Sequence, residues 1–118
     1  MPIVQVSVWE GMSPENKKKT VEGITKVFED LGVPKEALKI AIYEVPKSAH
    51  ELSNEIIIVQ VSVREDMSPE NKVKTIEGIT KVFEDLRVPK EAVEIVIYEV
   101  PKSKHEESAT WWPSNRQL

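Results

Sequence analysis

Residues 3–50 read IVQVSVWEGMSPENKKKTVEGITKVFEDLGVPKEALKIAIYEVPKSAH, and the same text returns 55 positions later as residues 58–105, IVQVSVREDMSPENKVKTIEGITKVFEDLRVPKEAVEIVIYEVPKSKH. Of these 48 paired positions 39 are identical, with no gap. The chain is a tandem duplication, and two copies are too few to stack as a solenoid. The expectation is two equivalent units packed on each other about a pseudo-two-fold axis. The first unit takes residues 1–50, a linker 51–56, the second unit 57–105 and a C-terminal tail 106–118, with the two units forming one integrated domain.

Each copy spells strand, helix, strand. Val4, Val6 and Val8 alternate with Gln5 and Ser7, the period-two signature of a half-buried strand, and Val59, Val61 and Val63 repeat it. Ser13-Pro14-Glu15 and Ser68-Pro69-Glu70 then supply a hydroxyl cap, a proline at the first helical position and an acid near the positive helix end. Val21, Ile24, Val27, Phe28 and Leu31 predict one apolar stripe on the helix that follows. Gly32, with Pro34 shortly after it, suits a helix stop; Arg87 holds that place in copy two and predicts a weaker one. Leu38, Ile40 and Ile42, then Val93, Ile95 and Ile97, mark the second strands.

Two strands joined by a helix within one sheet should run parallel. Edge-to-edge pairing of the copies then gives an α/β (α+β) fold, a four-stranded sheet with two helices on one face. The other face would carry Ile3, Trp9, Ala41, Val96 and the two Tyr, too much apolar surface for a small monomer. Oligomerisation around a central axis follows. The copies differ at Trp9 and Arg64, Lys18 and Val73, Lys39 and Glu94, and Ala41 and Val96, positions expected to meet different neighbours in the two halves.

Composition narrows the chemistry. The 118 residues contain no Cys, which excludes disulfides, thiol catalysis and thiolate metal sites and fits a reducing, cytoplasmic setting. A formal charge of −4 argues against general affinity for nucleic acid or anionic membrane. No apolar run approaches the ~20 residues that span a bilayer. No phosphate loop, nucleotide fingerprint or Ser/His/Asp arrangement is present, and no cofactor is expected. The two His, His50 and His105, occupy equivalent loop positions without clustered acids, so no metal site is expected. Glu10 with Glu65, and Glu44 with Glu99, are paired only by the repeat and do not indicate a glycosidase. Lys17, Lys18 and Lys19 read as a solvated face, and Trp111-Trp112-Pro113 as a tail folding back over apolar surface or reaching a protein partner.

Met1-Pro2-Ile3-Val4-Gln5, Glu10-Gly11 at the end of strand one, a Ser-initiated helix, a proline turn and a strand ending in Glu44-Val45 together resemble the 4-oxalocrotonate tautomerase family. Its short subunits are single βαβ units that pair into four-stranded dimers, three of which make a hexamer. The resemblance therefore implies a trimer of this fused chain. It also implies a catalytic base at Pro2, the secondary amine exposed once Met1 is removed, shifting double bonds in enol or unsaturated 2-keto acids. An amine titrating near the working pH suits such a transfer.

The family's arginine after Glu-Gly is Met12 here, and its second-strand arginine, which binds a substrate carboxylate across a subunit boundary, is Lys39 in copy one and Glu94 in copy two. Lys39 can attract a carboxylate only as a point charge, so the resemblance implies weak turnover. Ile57 stands where copy two would need a proline, leaving at most one such site per chain. The closeness of the copies also admits an alternative: an engineered, non-catalytic assembly subunit on the same trimer, with a designed protein partner.

Overall fold

The computed structural model describes residues 2–46 and 56–101. The chain runs β1 (Ile3–Trp9), α1 (Pro14–Asp30), β2 (Lys39–Val45), β3 (Ile57–Arg64), α2 (Pro69–Asp85) and β4 (Val93–Val100), with a 3-10 turn before each of β2 and β4. The sheet order is β2-β1-β3-β4. Within each unit the two strands are parallel, as the helical crossover requires, and the units meet through an antiparallel β1–β3 pair centred on Gln5 opposite Gln60. His50, His105 and the tail with Trp111 and Trp112 lie outside the described residues.

The alternation in β1 and β3 sorts their side chains between the faces. Val4, Val6, Val59 and Val61 are completely buried, and Val8 and Val63 nearly so, on the face covered by the helices. Ile24 and Phe28 of α1, with their counterparts Ile79 and Phe83 of α2, close over them as one apolar cluster. Each such side chain contributes roughly 1.5–3 kcal/mol by leaving water.

Both helices start as the sequence predicts. The Ser13 hydroxyl accepts the Asn16 N–H at 3.0 Å and Ser68 accepts that of Asn71 at 3.1 Å, each relieving one of the orphan donors of a first turn. The predicted stripe needs one correction. Val21 is 36% exposed, and it is Thr20 that is fully buried. Burial is tolerable because the Thr20 hydroxyl donates to the Asn16 carbonyl at 2.8 Å, as Thr75 does to Asn71.

The helices cross at their glycines. A Cβ at Gly23 would sit 2.8 Å from a Val82 methyl, and one at Gly78 would lie 2.9 Å from both Val27 methyls. Each absent side chain thus admits a β-branched residue of the other helix, and the two contacts repeat each other across the two-fold.

The two helix stops share one geometry. Gly32, at φ 89°, donates to the Glu29 carbonyl at 3.0 Å while Val33 donates to Phe28 at 2.9 Å, the paired bonds of a left-handed helix terminus. Arg87 makes the same stop: it adopts φ 69°, donates to Glu84 at 2.9 Å, and Val88 donates to Phe83 at 2.9 Å. The terminus holds without glycine because the Phe28–Val33 and Phe83–Val88 contacts belong to the core.

The face away from the helices is open. Tyr43 and Tyr98 are about half exposed and Ile58 is 37% exposed, in line with the apolar outer face read from the sequence. Lys39 lies on this face opposite Ile3, and Glu94 lies opposite Ile58, so the two charges occupy related corners. No helix among the described residues is long and apolar enough to cross a membrane.

Candidate functional site

The antiparallel seam decides what can approach Pro2. Ile3 pairs with Ser62 and Ser7 with Ile58, so the start of each unit's first strand faces the end of the other's. Pro2 is half-buried at the head of β1, and its carbonyl accepts the Lys39 N–H at 3.1 Å, which ties it to the start of β2. Carried one step along the seam, the register sets Pro2 at the Val63–Arg64 end of β3.

The two-fold gives this site a twin with no amine. There Ile57, 6% exposed and continuous with β3, stands in the place of Pro2. It helps line a pocket of about 290 Å³ together with Trp9, Gly11, Met12 and Asn16 from the end of β1 and the start of α1. The positions of the second unit that correspond to Trp9, Gly11, Met12 and Asn16 are Arg64, Asp66, Met67 and Asn71.

Three differences separate the twins. Pro2 answers Ile57, Arg64 answers Trp9, and Asp66 answers Gly11. Gly11 sits at φ 101°, a conformation suited to glycine. Asp66 avoids positive φ, and its turn is closed instead by Met67 N–H donating to the Arg64 carbonyl at 3.1 Å. That turn brings the Asp66 carboxylate onto Arg64, which donates from Nη2 at 3.0 Å. The Arg64 Nε is shielded from solvent and has no hydrogen-bond partner. Its donor capacity is unspent, a condition that ordinarily costs free energy.

The remaining candidates are scattered. Lys39 touches Pro2 through its backbone, while its exposed side chain belongs to the open face with Ile3. Met12 packs on the core. Glu44 pairs with Lys17 and Glu99 with Lys72, tethering each helix to an outer strand at opposite edges of the sheet. Lys17 is therefore an ion-pair partner and Lys19 bonds Glu15 at 3.4 Å, both on the solvated face read from the sequence, where Lys18 and Lys19 are exposed. Glu10 and Glu65 hold the strand ends, their N–H groups donating to Val45 and Val100 at 3.0 Å. Among the described residues no three metal-ligating side chains converge.

Arg64 and Asp66 were not singled out from the sequence as site residues. Arg64 did stand out as a difference between copies, but its neighbour depends on which strands meet at the seam. Periodicity within one copy carries no such information.

Comparison with known proteins agrees with this architecture. A family model described as tautomerase enzyme matches residues 2–50. The 2-hydroxymuconate tautomerase of Comamonas testosteroni is 38% identical over 48 residues, 40% of this chain and 76% of that protein. The chain belongs to the tautomerase family. Among solved structures, native fused 4-OT superimposes with a TM-score of 0.76 at 17% identity, over 84% of this chain and 87% of that one. Pt0534 inactivated by 2-oxo-3-pentynoate gives 0.77 at 23% identity over 85% and 86%. A fused 4-OT described as a wild type symmetric trimer gives 0.77 at 17% identity over 86% and 87%. These three likenesses establish the tautomerase fold of the duplicated chain as a whole.

Proposed function

We propose that this tautomerase-family chain transfers protons on enol or unsaturated 2-keto acids, with the secondary amine of Pro2 as the base. The observation that carries this reading is the placement of Pro2, half-buried at the head of β1 and anchored through its carbonyl, where a terminal nitrogen would face the end of the other unit. The amine exists only when Met1 has been removed; an amide nitrogen has no basicity. An α-amino group ordinarily titrates near 7.7–8.0, and apolar surroundings favour its neutral form.

In the step envisaged, the neutral amine takes the proton of an enol hydroxyl, the C=O bond forms, and the double bond shifts. The ammonium then returns a proton to the carbon that has gained electron density. One proton leaves oxygen and one arrives at carbon, so no oxidant or metal enters the balance.

The same reading includes self-association. Some relatives of this fold are fused 4-OT trimers, and the open face with Tyr43, Tyr98 and Ile58 supports burial against further copies. In a trimer, Lys39 of a neighbouring copy would be a point-charge anchor for a substrate carboxylate. Light scattering should give about three chains per particle, or a multiple of three; a stable monomer would overturn this part.

Intact mass decides whether Met1 is absent. If it is, Pro2→Ala should lower the rate of enol-to-keto conversion of 2-hydroxymuconate by about 100-fold, in the range for losing a positioned acid-base group. Equal rates would sink the proline mechanism. A retained Met1 with no conversion leaves the other reading, a non-catalytic, engineered assembly subunit on the same scaffold.

A further inference from the structure

We propose that the outer side of α2 is the docking surface for the chain's own C-terminal segment, with Trp111 and Trp112 seated on a stripe formed by Pro69, Val73, Ile76 and Thr80. This surface is independent of the Pro2 chemistry.

The phase of the helix defines the stripe. Thr75, Ile79 and Phe83 are buried and fix the inward side of α2. At about 100° per residue, Pro69, Val73, Ile76 and Thr80 fall together on the side turned away from the core. Val73 is 51% exposed and Ile76 40%. The Thr80 hydroxyl is spent on the Ile76 carbonyl at 2.7 Å, so it adds no unpaired donor to this apolar strip. One exposed valine is ordinary, but adjoining apolar residues along a helix mark a contact surface.

Comparison of the copies assigns the patch to the second unit. Where α2 carries Val73 and Ile76, α1 carries Lys18 and Val21, and the exposed Lys18 breaks the strip. The segments that follow the two units differ in the same sense. The chain leaving β2 goes on to form β3, whereas the chain leaving β4 enters residues 102–118 with Trp111-Trp112-Pro113. The continuous apolar strip and the tryptophan pair therefore belong to the same unit.

The segment also starts beside the strip. The Val100 carbonyl accepts the Glu65 N–H at 3.0 Å, and Glu99 pairs with Lys72, the residue before Val73. Trp111 is ten residues beyond Pro101. Such a length spans up to about 35 Å when extended and about 18 Å as a flexible chain, against a strip about 17 Å long. The tryptophans thus reach all of it without passing around the sheet to its open face. Each indole has a large apolar surface and one N–H that needs an acceptor. The exposed carboxylate of Glu84, one turn beyond Thr80, borders the strip and can supply one.

The chain has no Cys, so introduced pairs report without ambiguity. In full-length chain, Glu77→Cys with Ser114→Cys should be joined by a short bismaleimide. When isotope-labelled and unlabelled chains are refolded together, both cysteines of each cross-link should belong to one chain. Val73→Lys gives α2 the residue that α1 carries, and Trp111→Ser with Trp112→Ser leaves α2 untouched. Each change should lower the yield about 3- to 10-fold, the range for coupling between residues in contact. The pair Glu22→Cys with Ser114→Cys, on α1, should give only that lowered yield. In a Trp9→Phe chain, where Trp111 and Trp112 alone emit, acrylamide quenching should be well below that in urea and should rise with Val73→Lys. A yield unmoved by either change, or quenching unmoved by Val73→Lys, overturns the docking surface. Equal yields on α1 and α2 overturn it as well, because the tether alone would then account for them. Cross-links between labelled and unlabelled chains overturn the assignment by seating a second copy's segment there.

Discussion

The two units share a backbone plan down to their caps, yet they divide at the seam. On the helix side of the sheet, Phe28 and Phe83, Ile24 and Ile79, and the reciprocal contacts of Gly23 with Val82 and Gly78 with Val27 repeat without a change of residue. At the strand ends, Pro2 and Ile57, Trp9 and Arg64, and Gly11 and Asp66 have separated. A shared core tolerates little, because interiors are packed at crystal-like density and each residue touches many others. The seam ends open to solvent and to any small molecule there, so residues can change with limited cost to folding.

Three measurements test how equal the halves are. Phe28→Ala and Phe83→Ala should each destabilise by about 3–5 kcal/mol, and by the same amount within error, since each leaves a fully buried void in one cluster. Urea unfolding would show it, and unequal losses would mean that the core is less symmetric than its residues.

The second concerns the helix stops, where residue and conformation disagree in one half only. Arg87→Gly should stabilise by about 1 kcal/mol, because the left-handed conformation costs a side-chain-bearing residue roughly 1–2 kcal/mol. Gly32→Arg should destabilise by a similar amount. A null result for both would place the cost elsewhere in the turn.

The smallest effect concerns the paired tethers. Glu44→Gln and Glu99→Gln should each cost under about 1 kcal/mol, and the loss should shrink in high salt, because both ion pairs are partly exposed. A larger loss at one edge would mark that edge as the more buried in the assembled protein.

Much of this architecture is legible in the residues because the signals are local. Val4, Val6 and Val8 alternate with a period that only a strand satisfies, and Ser13-Pro14 starts a helix whatever lies beyond it. The signals fail where a second element decides. Thr20 outranks Val21 for the interior because the sheet and α2 fix which side of α1 is inward. Arg87 ends a helix where glycine would be expected because Val88 and Phe83 hold the terminus by packing.

The candidate site divides in the same way. Pro2 could be proposed from the resemblance of the first unit's motifs to the tautomerase family. Arg64 was visible as a difference without a location until the antiparallel pairing of β1 with β3 placed it. Lys39 and Met12 are singled out by the resemblance to a family pattern, and the structure puts the first on the open face and the second partly buried against the core, at the pocket beside Ile57.

The crossing of β1 and β3 has a consequence for how such a protein can change. In a symmetric pair of separate chains, one codon writes both ends of the seam, and a tryptophan replaced by arginine is replaced twice. Joining the two units on one chain gives each end its own codon. One end can then change its residues while the other keeps its own, and the strand pairing that unites them need not move.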